Sequence, residues 1–195
     1  MEIDYLALTS EKITDFHCLD TFFSGVEVMD KFIQGDFRMS VENHYCSAYG
    51  IWYKNQLVAI YALSFDSLDL DIDDREELQT GVSSIGVLDI NWNYRETFYS
   101  KPRYPALDIA YLAVKKEYRG NSVGRSIVEL IAEKARTQTF AGCQFLTVEA
   151  LANQEYNAVG FYLKCGFTPN ELKKPYKDTL RMFRTLYVND GEDDE

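Results

Sequence analysis

One segment, residues 107–136, constrains the fold of this chain more than any other part of the sequence. It starts with the β-favouring run Leu-Asp-Ile-Ala-Tyr-Leu-Ala-Val, passes through a turn that contains Gly120 and Gly124, and enters a long amphipathic stretch. The turn therefore joins a strand to the N-terminus of a helix, where several backbone N–H groups point towards one place. Because such a turn can bind phosphate without a cationic side chain, the segment predicts a site for a phosphate-bearing ligand.

The size and composition of the chain predict one globular domain. Of the 195 residues, 46% are hydrophobic and 14% are aromatic, which is enough for a buried core. We assign residues 1–189 to this single domain. We expect the acidic tail, residues 190–195, to be disordered.

The net charge of −11 restricts the classes of partner. It disfavours nucleic acid, because a surface that binds a phosphate backbone needs Lys and Arg side chains. Acidic residues concentrate in the segment 66–77 and in the tail. A solvated surface is the simpler interpretation of both clusters, and attraction of a cationic substrate is the alternative for the first.

The sequence also carries no sign of a membrane or metal site. No apolar run reaches the length of a membrane span, and the N-terminus lacks an apolar signal segment, so we expect a cytoplasmic protein. The cysteines form no C-x-x-C pair, and the histidines have no metal-ligand spacing with them, so we expect no metal. These residues are Cys18, Cys46, Cys143, Cys165, His17 and His44.

Hydrophobic periodicity predicts a chain of mixed strands and helices. The predicted strands are residues 3–8, 45–53, 57–65, 85–90, 106–114, 144–150 and 180–188, with a hairpin turn at 54–56. The predicted helices run from a capping box at Ser24 to Phe37, and over residues 75–80, 122–135 and 153–164. We expect Gly166 to end the last of these helices.

Two common phosphate loops do not fit the turn. A Walker loop needs four residues between its glycines and a following Lys-Ser/Thr pair, whereas three residues separate Gly120 from Gly124 and the next pair is Arg125-Ser126. A dinucleotide loop needs the spacing G-x-G-x-x-G early in a βαβ unit. This spacing is also missing from the turn.

The segment from Leu112 to Arg125 resembles the acetyl-CoA loop of the GNAT N-acetyltransferase superfamily, with its pattern Arg/Gln-x-x-Gly-x-Gly/Ala. This chain has Arg119, then Ser122 in place of the usual glycine, then Gly124. Because serine carries a Cβ atom, a left-handed backbone is strained there. We therefore expect either a right-handed turn at Ser122 or weaker pyrophosphate binding. The resemblance implies acetyl-CoA contacts at Leu112, Ala113, Val114, Arg119, Gly120, Asn121, Ser122, Val123, Gly124 and Arg125.

A second stretch, Ala158-x-x-Phe161-Tyr162-x-x-x-Gly166-Phe167, resembles the later GNAT motif and follows in the family's order. The resemblance implies a single α/β (α+β) domain. Its mixed, mostly antiparallel sheet would have splayed central strands and flanking helices. In that family the pantetheine arm lies in the splay and pairs with backbone groups like an extra strand.

The implied reaction is direct attack of a primary amine on acetyl-CoA in a ternary complex. An amine with a pKa near ~10 must first lose a proton. Asp108 matches a strand position where the histone-acetylating branch carries a glutamate, so it is the first candidate acceptor, acting through a water molecule. An ordinary strand-edge carboxylate is the competing interpretation. Glu149 is the second candidate.

Two further roles complete this chemistry. Backbone N–H groups around Leu112–Val114 could stabilise the oxyanion that forms during attack. The leaving thiolate needs a proton, because its parent thiol has a pKa of about 8.5. Tyr162 occupies the family's position for that acid, and an aromatic core residue is the competing interpretation.

Three functions remain open. The first is acetylation of an amine on a small molecule or protein, with a cationic acceptor favoured by the acidic charge. The second is a toxin paired with an antitoxin, because Pro102–Pro105, Phe22–Val26 and Met29–Ile33 look like a GNAT branch whose toxins acetylate aminoacyl-tRNA. The third is a non-catalytic CoA-binding sensor or scaffold. A homodimer is compatible with exposed strand edges or aromatic patches.

Overall fold

The structure is a computed structural model that describes residues 3–4, 7–70, 75–76, 87–88, 92–170 and 178–189. Backbone contacts divide the chain into two compact units. The first unit consists of Met1–Ser64 and Ile109–Ile131, and the second consists of Phe65–Asp108 and Ala132–Glu195.

Strands outnumber helices in the described residues. The strands are β1 (Leu8–Lys12), β2 (Ser47–Tyr53), β3 (Gln56–Leu68), β4 (Val87–Leu88), β5 (Tyr104–Val114), β6 (Phe145–Leu151), β7 (Thr168–Pro169), β8 (Thr179–Thr185) and β9 (Val188–Asn189). The α-helices are α1 (Glu27–Gln34), α2 (Phe37–Glu42), α3 (Arg95–Tyr99), α4 (Val123–Thr137) and α5 (Val159–Lys164).

Seven strands form a sheet with the hydrogen-bonded order β1-β2-β3-β5-β6-β8-β7, and β4 pairs with β9 separately. The pairs β1–β2, β2–β3, β6–β8 and β7–β8 are antiparallel, whereas β5 and β6 are parallel. The β5–β6 ladder covers only Ala106–Asp108 against Phe145–Thr147, although β5 has 11 residues. The predicted mixed, mostly antiparallel sheet is confirmed.

The first unit has an apolar core built from its helices and strands. Phe37 in α2 is fully buried, and Phe32 in α1 stacks on Tyr111 with 4.1 Å between ring centroids. The strands β2 and β3 are joined by Lys54 and Asn55, whose φ angles of 48° and 63° are left-handed. Two consecutive left-handed residues are what a two-residue hairpin turn requires. The predicted hairpin is therefore confirmed, with a turn one residue shorter.

A chain of aromatic rings forms the core of the second unit. Tyr104 lies between Phe98 and Phe145, with centroid distances of 4.8 Å and 5.6 Å, and Phe183 follows Phe145 at 6.0 Å. The Tyr104 hydroxyl donates to the Phe98 carbonyl at 2.9 Å, so its polar atom is satisfied inside the core. Side chains alternate along a strand, so this face of β5, β6 and β8 continues into the polar residues of the candidate site.

Arg75 ties together three separate parts of the second unit. Its guanidinium donates to the carbonyls of Leu70 at 3.2 Å, Tyr99 at 2.9 Å and Lys101 at 3.0 Å. A planar group with several donors is suited to such bridging. The side chain therefore fixes the end of β3 relative to the segment that leads into β5.

The helix predicted from Ser24 starts later than expected and is interrupted. The Ser24 hydroxyl accepts from the Val26 N–H at 3.1 Å, while the carboxylate of Asp30 accepts from the Ser24 and Gly25 N–H groups at 2.7 Å and 3.0 Å. The capping interaction therefore uses Asp30. The expected capping-box partner, Glu27, instead forms an ion pair with Lys31 at 2.5 Å.

The helix predicted over 153–164 begins only at Val159. The Asn153 side chain accepts from the Glu155 and Tyr156 N–H groups at 3.0 Å and 2.8 Å, which holds this segment in a turn. Asn157 then accepts from the Val159 N–H at 2.9 Å. Two asparagines thus compete with the helix for the backbone donors. Gly166 follows α5 with a φ of 80°, as expected for a helix end.

Several predicted elements are only partly open to comparison. The first strand was expected at 3–8, whereas β1 spans Leu8–Lys12. Residues 5–6 lie outside the described part of the chain, as do 77–80 of the predicted short helix and 85–86 and 89–90 of the predicted strand. The tail, 190–195, also lies outside it.

Two glycine substitutions in and after α5 are expected to have opposite effects. Gly166→Ala places a Cβ on a left-handed residue and should lower the free energy of unfolding by about 1 kcal/mol. Gly160→Ala lies in the helix with no atom within 4 Å of the added Cβ, and should raise it by up to about 1 kcal/mol. Urea unfolding of both variants measures the difference. Equal effects would contradict the assigned backbone at Gly166.

Candidate active site

The turn between β5 and α4 is anchored within the first unit. The Lys115 N–H donates to the Val58 carbonyl at 2.8 Å and the Lys116 N–H donates to the Phe23 carbonyl at 3.0 Å. Tyr118 is 7% exposed, and its hydroxyl donates to Gln56 at 3.0 Å. These contacts fix the chain on the N-terminal side of the turn, so the backbone that follows has a defined direction.

The turn itself contains two left-handed residues. Gly120 has a φ of 75° and Ser122 has a φ of 54°. Of the two alternatives for Ser122, the right-handed turn is therefore wrong, and weaker pyrophosphate binding stays a prediction. Serine accepts the left-handed conformation here at a strain cost of about 1 kcal/mol. A left-handed backbone is thus present at this position without a glycine.

The turn lies at the N-terminus of α4, where backbone N–H groups are available to a ligand. Residues at the start of an α-helix have N–H groups without a partner inside the helix, and the first helical bond runs from the Ser126 N–H to the Ser122 carbonyl at 3.0 Å. The Asn121 side chain donates to the carbonyls of Tyr118 and Arg119 at 3.3 Å and 3.0 Å. A Cβ added at Gly120 would meet no atom within 4 Å. The space and the donors both fit an anion.

Tyr162 lies in α5, inside the second unit. It is 6% exposed, and its ring makes edge-to-face contacts with Phe161 at 4.9 Å and Phe167 at 5.3 Å. Burial is the main cause that raises the pKa of the Tyr162 phenol well above its usual value, and the charges of Cys165, Tyr156 and Asp108 add to it in that order. The phenol therefore keeps its proton through the neutral range, as a proton donor must.

The two candidate proton acceptors, Asp108 and Glu149, contact the same guanidinium. Arg181 Nη1 lies 3.1 Å from Asp108 Oδ1 and 3.6 Å from Glu149 Oε1. The strand register explains this convergence, since Glu149 on β6 is directly opposite Arg181 on β8. The structure therefore brings Asp108 and Glu149 together, and Asp108 is not an isolated strand-edge carboxylate.

Three residues of this cluster were not recognised as site residues in the sequence. Arg181 Nη2 also pairs with Asp66, and the Thr147 hydroxyl lies 2.6 Å from Asp66 Oδ2 and 3.2 Å from Asp108 Oδ1. Asp66 opens the acidic segment that was interpreted as solvated, but its side chain is 24% exposed and ion-paired. The sequence offers one signal for Arg181, which is that a charged residue lies between the apolar residues Leu180 and Met182 of strand β8.

The remaining predicted contact residues lie on β5 and in α4. Leu112, Ala113 and Val114 form the last residues of β5, and Ala113 is buried. Gly124 and Arg125 lie in the first turn of α4. Within the described ranges, no three His, Cys, Asp or Glu side chains are grouped to hold a metal ion. No helix in those ranges is long and apolar enough to cross a membrane.

Comparison with known families agrees with this arrangement. Residues 77–169 match the family described as "Acetyltransferase (GNAT) domain". This segment of the chain, just under half of its length, is therefore similar to a GNAT acetyltransferase domain. The expectation of an acyltransferase is confirmed at this level, and the matched region includes both the phosphate turn and Tyr162.

Solved structures with the same fold include bacterial toxins and their complexes. A Tyr→Phe mutant of the toxin AtaT, bound to the C-terminus of the antitoxin AtaR and acetyl-CoA, is 18% identical with a TM-score of 0.59, covering 92% of this chain and 94% of that chain. AtaT complexed with acetyl-methionyl-tRNAfMet is 20% identical with a TM-score of 0.58, covering 89% and 93%. The KacTA–DNA complex is 19% identical with a TM-score of 0.57, covering 92% and 93%.

These structures change one expectation. At identities of 18–20% the likeness concerns the fold. Because proteins of this fold were solved with tRNA and with DNA, the net charge alone no longer disfavours nucleic acid as a partner. No curated protein is similar enough in sequence to count as a relative.

A pair of serine substitutions tests the backbone of the turn. Ser122→Gly should relieve the left-handed strain and raise the free energy of unfolding by up to about 1 kcal/mol. Ser126→Gly, four residues later in α4, should lower it by about 0.5 kcal/mol. Urea unfolding gives both values. A loss of stability in Ser122→Gly would show that the residue is not left-handed.

Proposed function

We propose that this protein transfers an acetyl group from acetyl-CoA to a primary amine, and that its preferred acceptor is the amino group of an aminoacyl-tRNA. The observation that carries the transfer is the left-handed turn at Gly120 and Ser122, which opens into α4 beside free space. Backbone donors at a helix N-terminus are suited to the pyrophosphate of acetyl-CoA. The contact residues are those predicted, from Leu112 to Val114 and from Arg119 to Arg125.

The chemical step needs the amine in its neutral form. The ammonium group first gives a proton, through water, to a carboxylate, for which Asp108 is our first choice and Glu149 the second. The nitrogen then attacks the thioester carbonyl, so that a C–N bond forms and the C–S bond breaks. Backbone N–H groups of Leu112–Val114 are proposed to stabilise the oxyanion between these events.

The leaving sulfur needs a proton, and we assign the role of the acid that supplies it to Tyr162. The leaving sulfur takes the phenolic proton of Tyr162 and departs as the thiol. The second proton of the attacking nitrogen returns to the phenol, and the first proton passes from the carboxylate to solvent. Burial raises the pKa of the Tyr162 phenol, so the phenol is protonated in the neutral range and has a proton to give as the C–S bond breaks.

The choice of acceptor is supported by the likeness to the toxins. AtaT, with the same fold over nearly the whole chain, was solved with an acetylated methionyl-tRNA and with an antitoxin fragment. The segment Phe22–Val26 and the helix α1 that follows carry the looser resemblance to that branch. By analogy, we propose that an antitoxin partner binds this protein.

A second acceptor class is favoured by charge. The chain carries a net charge of −11, and Asp66, Asp108 and Glu149 surround one guanidinium, so negative charge is in excess there. Such a site attracts a cation. A small cationic amine, such as a polyamine, is therefore the competing acceptor.

One transfer assay separates these acceptors. Purified protein is incubated with radiolabelled acetyl-CoA and either aminoacylated total tRNA, deacylated tRNA or a set of polyamines. We expect label in the aminoacylated tRNA alone, and its loss on mild base, which cleaves the ester. Label in polyamines would favour the second class. Label in none of the acceptors, with no binding of acetyl-CoA, would refute the proposed function.

Replacement of Tyr162 tests the acid. Tyr162→Phe should lower kcat by about 100-fold with little change in the KM for acetyl-CoA, because the ring still packs and only the proton is lost. Tyr156→Phe, in the loop before α5, is the matched control and should retain activity. In the wild type, loss of the Tyr162 proton should not lower the activity at any pH below 10, because the pKa of the phenol is raised. Equal rates for both variants would remove Tyr162 from the chemistry.

A further inference from the structure

We propose that Arg181 is a positioning residue that keeps Asp108 ionised and oriented as the proton acceptor, against the opposing influence of Asp66. This inference rests on the proposed function, because it concerns the carboxylate of the same reaction. It assigns roles to Arg181, Asp66 and Thr147, which the sequence did not single out.

The guanidinium is built into the second unit from several sides. Arg181 is 5% exposed and forms ion pairs with Asp66, Asp108 and Glu149. Asn170, which is 2% exposed, donates its N–H to the Arg181 carbonyl and its side-chain amide to the Asp69 carbonyl, both at 2.9 Å. The backbone of Arg181 is therefore tied to a point three residues after Asp66, which fixes the guanidinium relative to its partners.

Asp66 and Asp108 lie close enough to repel each other. Both accept from the Thr147 hydroxyl, at 2.6 Å and 3.2 Å, and both pair with Arg181. A hydroxyl has one proton, so it can satisfy only one of the two carboxylates at a time. Two carboxylates that share a site favour uptake of a proton by one of them. The positive charge of Arg181 is what allows both to remain ionised.

Fold stability alone does not explain this arrangement. A buried ion pair is often no more stabilising than apolar side chains of the same volume. Within the described residues, Arg181 Nε is also buried without a hydrogen-bond partner, and burial lowers the pKa of the guanidinium. The side chain is thus placed to contact carboxylates at the expense of one of its own donors. A role in holding Asp108 accounts for that placement.

Four titratable groups among the described residues surround or influence Asp108. They are Asp66 on β3, Glu149 on β6, Arg181 on β8 and Tyr162 on α5, whose phenol is influenced by the charge of Asp108. Arg181 provides the positive charge of this set. Removal of this charge should therefore change the pH at which the Asp66–Asp108 pair binds a proton.

The test compares Arg181→Gln, Arg181→Lys and the double variant Arg181→Gln with Asp66→Asn. In Arg181→Gln, the acid limb of the kcat/KM profile should move up by at least one pH unit, with activity recovering at higher pH. The limb should move less in Arg181→Lys, which keeps the charge. In the double variant it should return towards the wild type, because the like charge opposite Asp108 is gone. Arg184→Gln, three residues along the same strand, is the control and should not shift the limb.

A second readout does not depend on activity. Without the guanidinium, the folded Asp66–Asp108 pair holds a proton to higher pH than the unfolded chain does, so folding loses stability as pH rises. The difference in the free energy of unfolding between wild type and Arg181→Gln should therefore widen from about pH 4 to about pH 7. The double variant should show less widening.

The outcomes separate this inference from the proposed function. A wild type that transfers no acetyl group refutes the function, whereas the unfolding measurements still report on the Arg181 cluster. A uniform loss of activity in Arg181→Gln, without a shifted limb, overturns the positioning role. A stability difference that stays constant with pH also overturns it.

Discussion

The left-handed turn between β5 and α4 is the constraint on which the proposed chemistry depends. Gly120 and Ser122 have left-handed backbones directly before the N-terminus of α4, whose first residues have N–H donors without a partner inside the helix. The bonds from Lys115 to Val58 and from Tyr118 to Gln56 fix the chain before it enters the turn. The phosphate binding that we propose is a property of the main chain, so serine can replace glycine at a modest cost in strain.

A second constraint is the change from apolar to polar residues along one face of β5, β6 and β8. The aromatic rings of Tyr104, Phe145 and Phe183 pack one part of that face. Thr147 lies two residues from Phe145 on β6, and Arg181 lies two residues from Phe183 on β8. The packed rings restrict the strands that present the polar side chains. The carboxylates therefore lie in a pre-organised group, as proton transfer over a short distance requires.

The sequence predicted the parts of this site that depend on local backbone. The strand, turn and helix around Gly120 follow from patterns within about thirty residues, and so does the end of α5 at Gly166. The Arg181 cluster joins residues 115 positions apart, and no local pattern specifies which strands become neighbours. The late start of α5 was missed for a different reason, because Asn153 and Asn157 capture backbone donors that hydrophobic periodicity does not register.

Amide NMR of the turn tests the central claim most directly. The account predicts that CoA shifts the backbone N–H signals of Gly120, Asn121, Ser122, Val123 and Gly124, and that pantetheine, which lacks the pyrophosphate, leaves them in place. Binding of CoA with unchanged signals at these residues, or equal shifts with pantetheine, would contradict it.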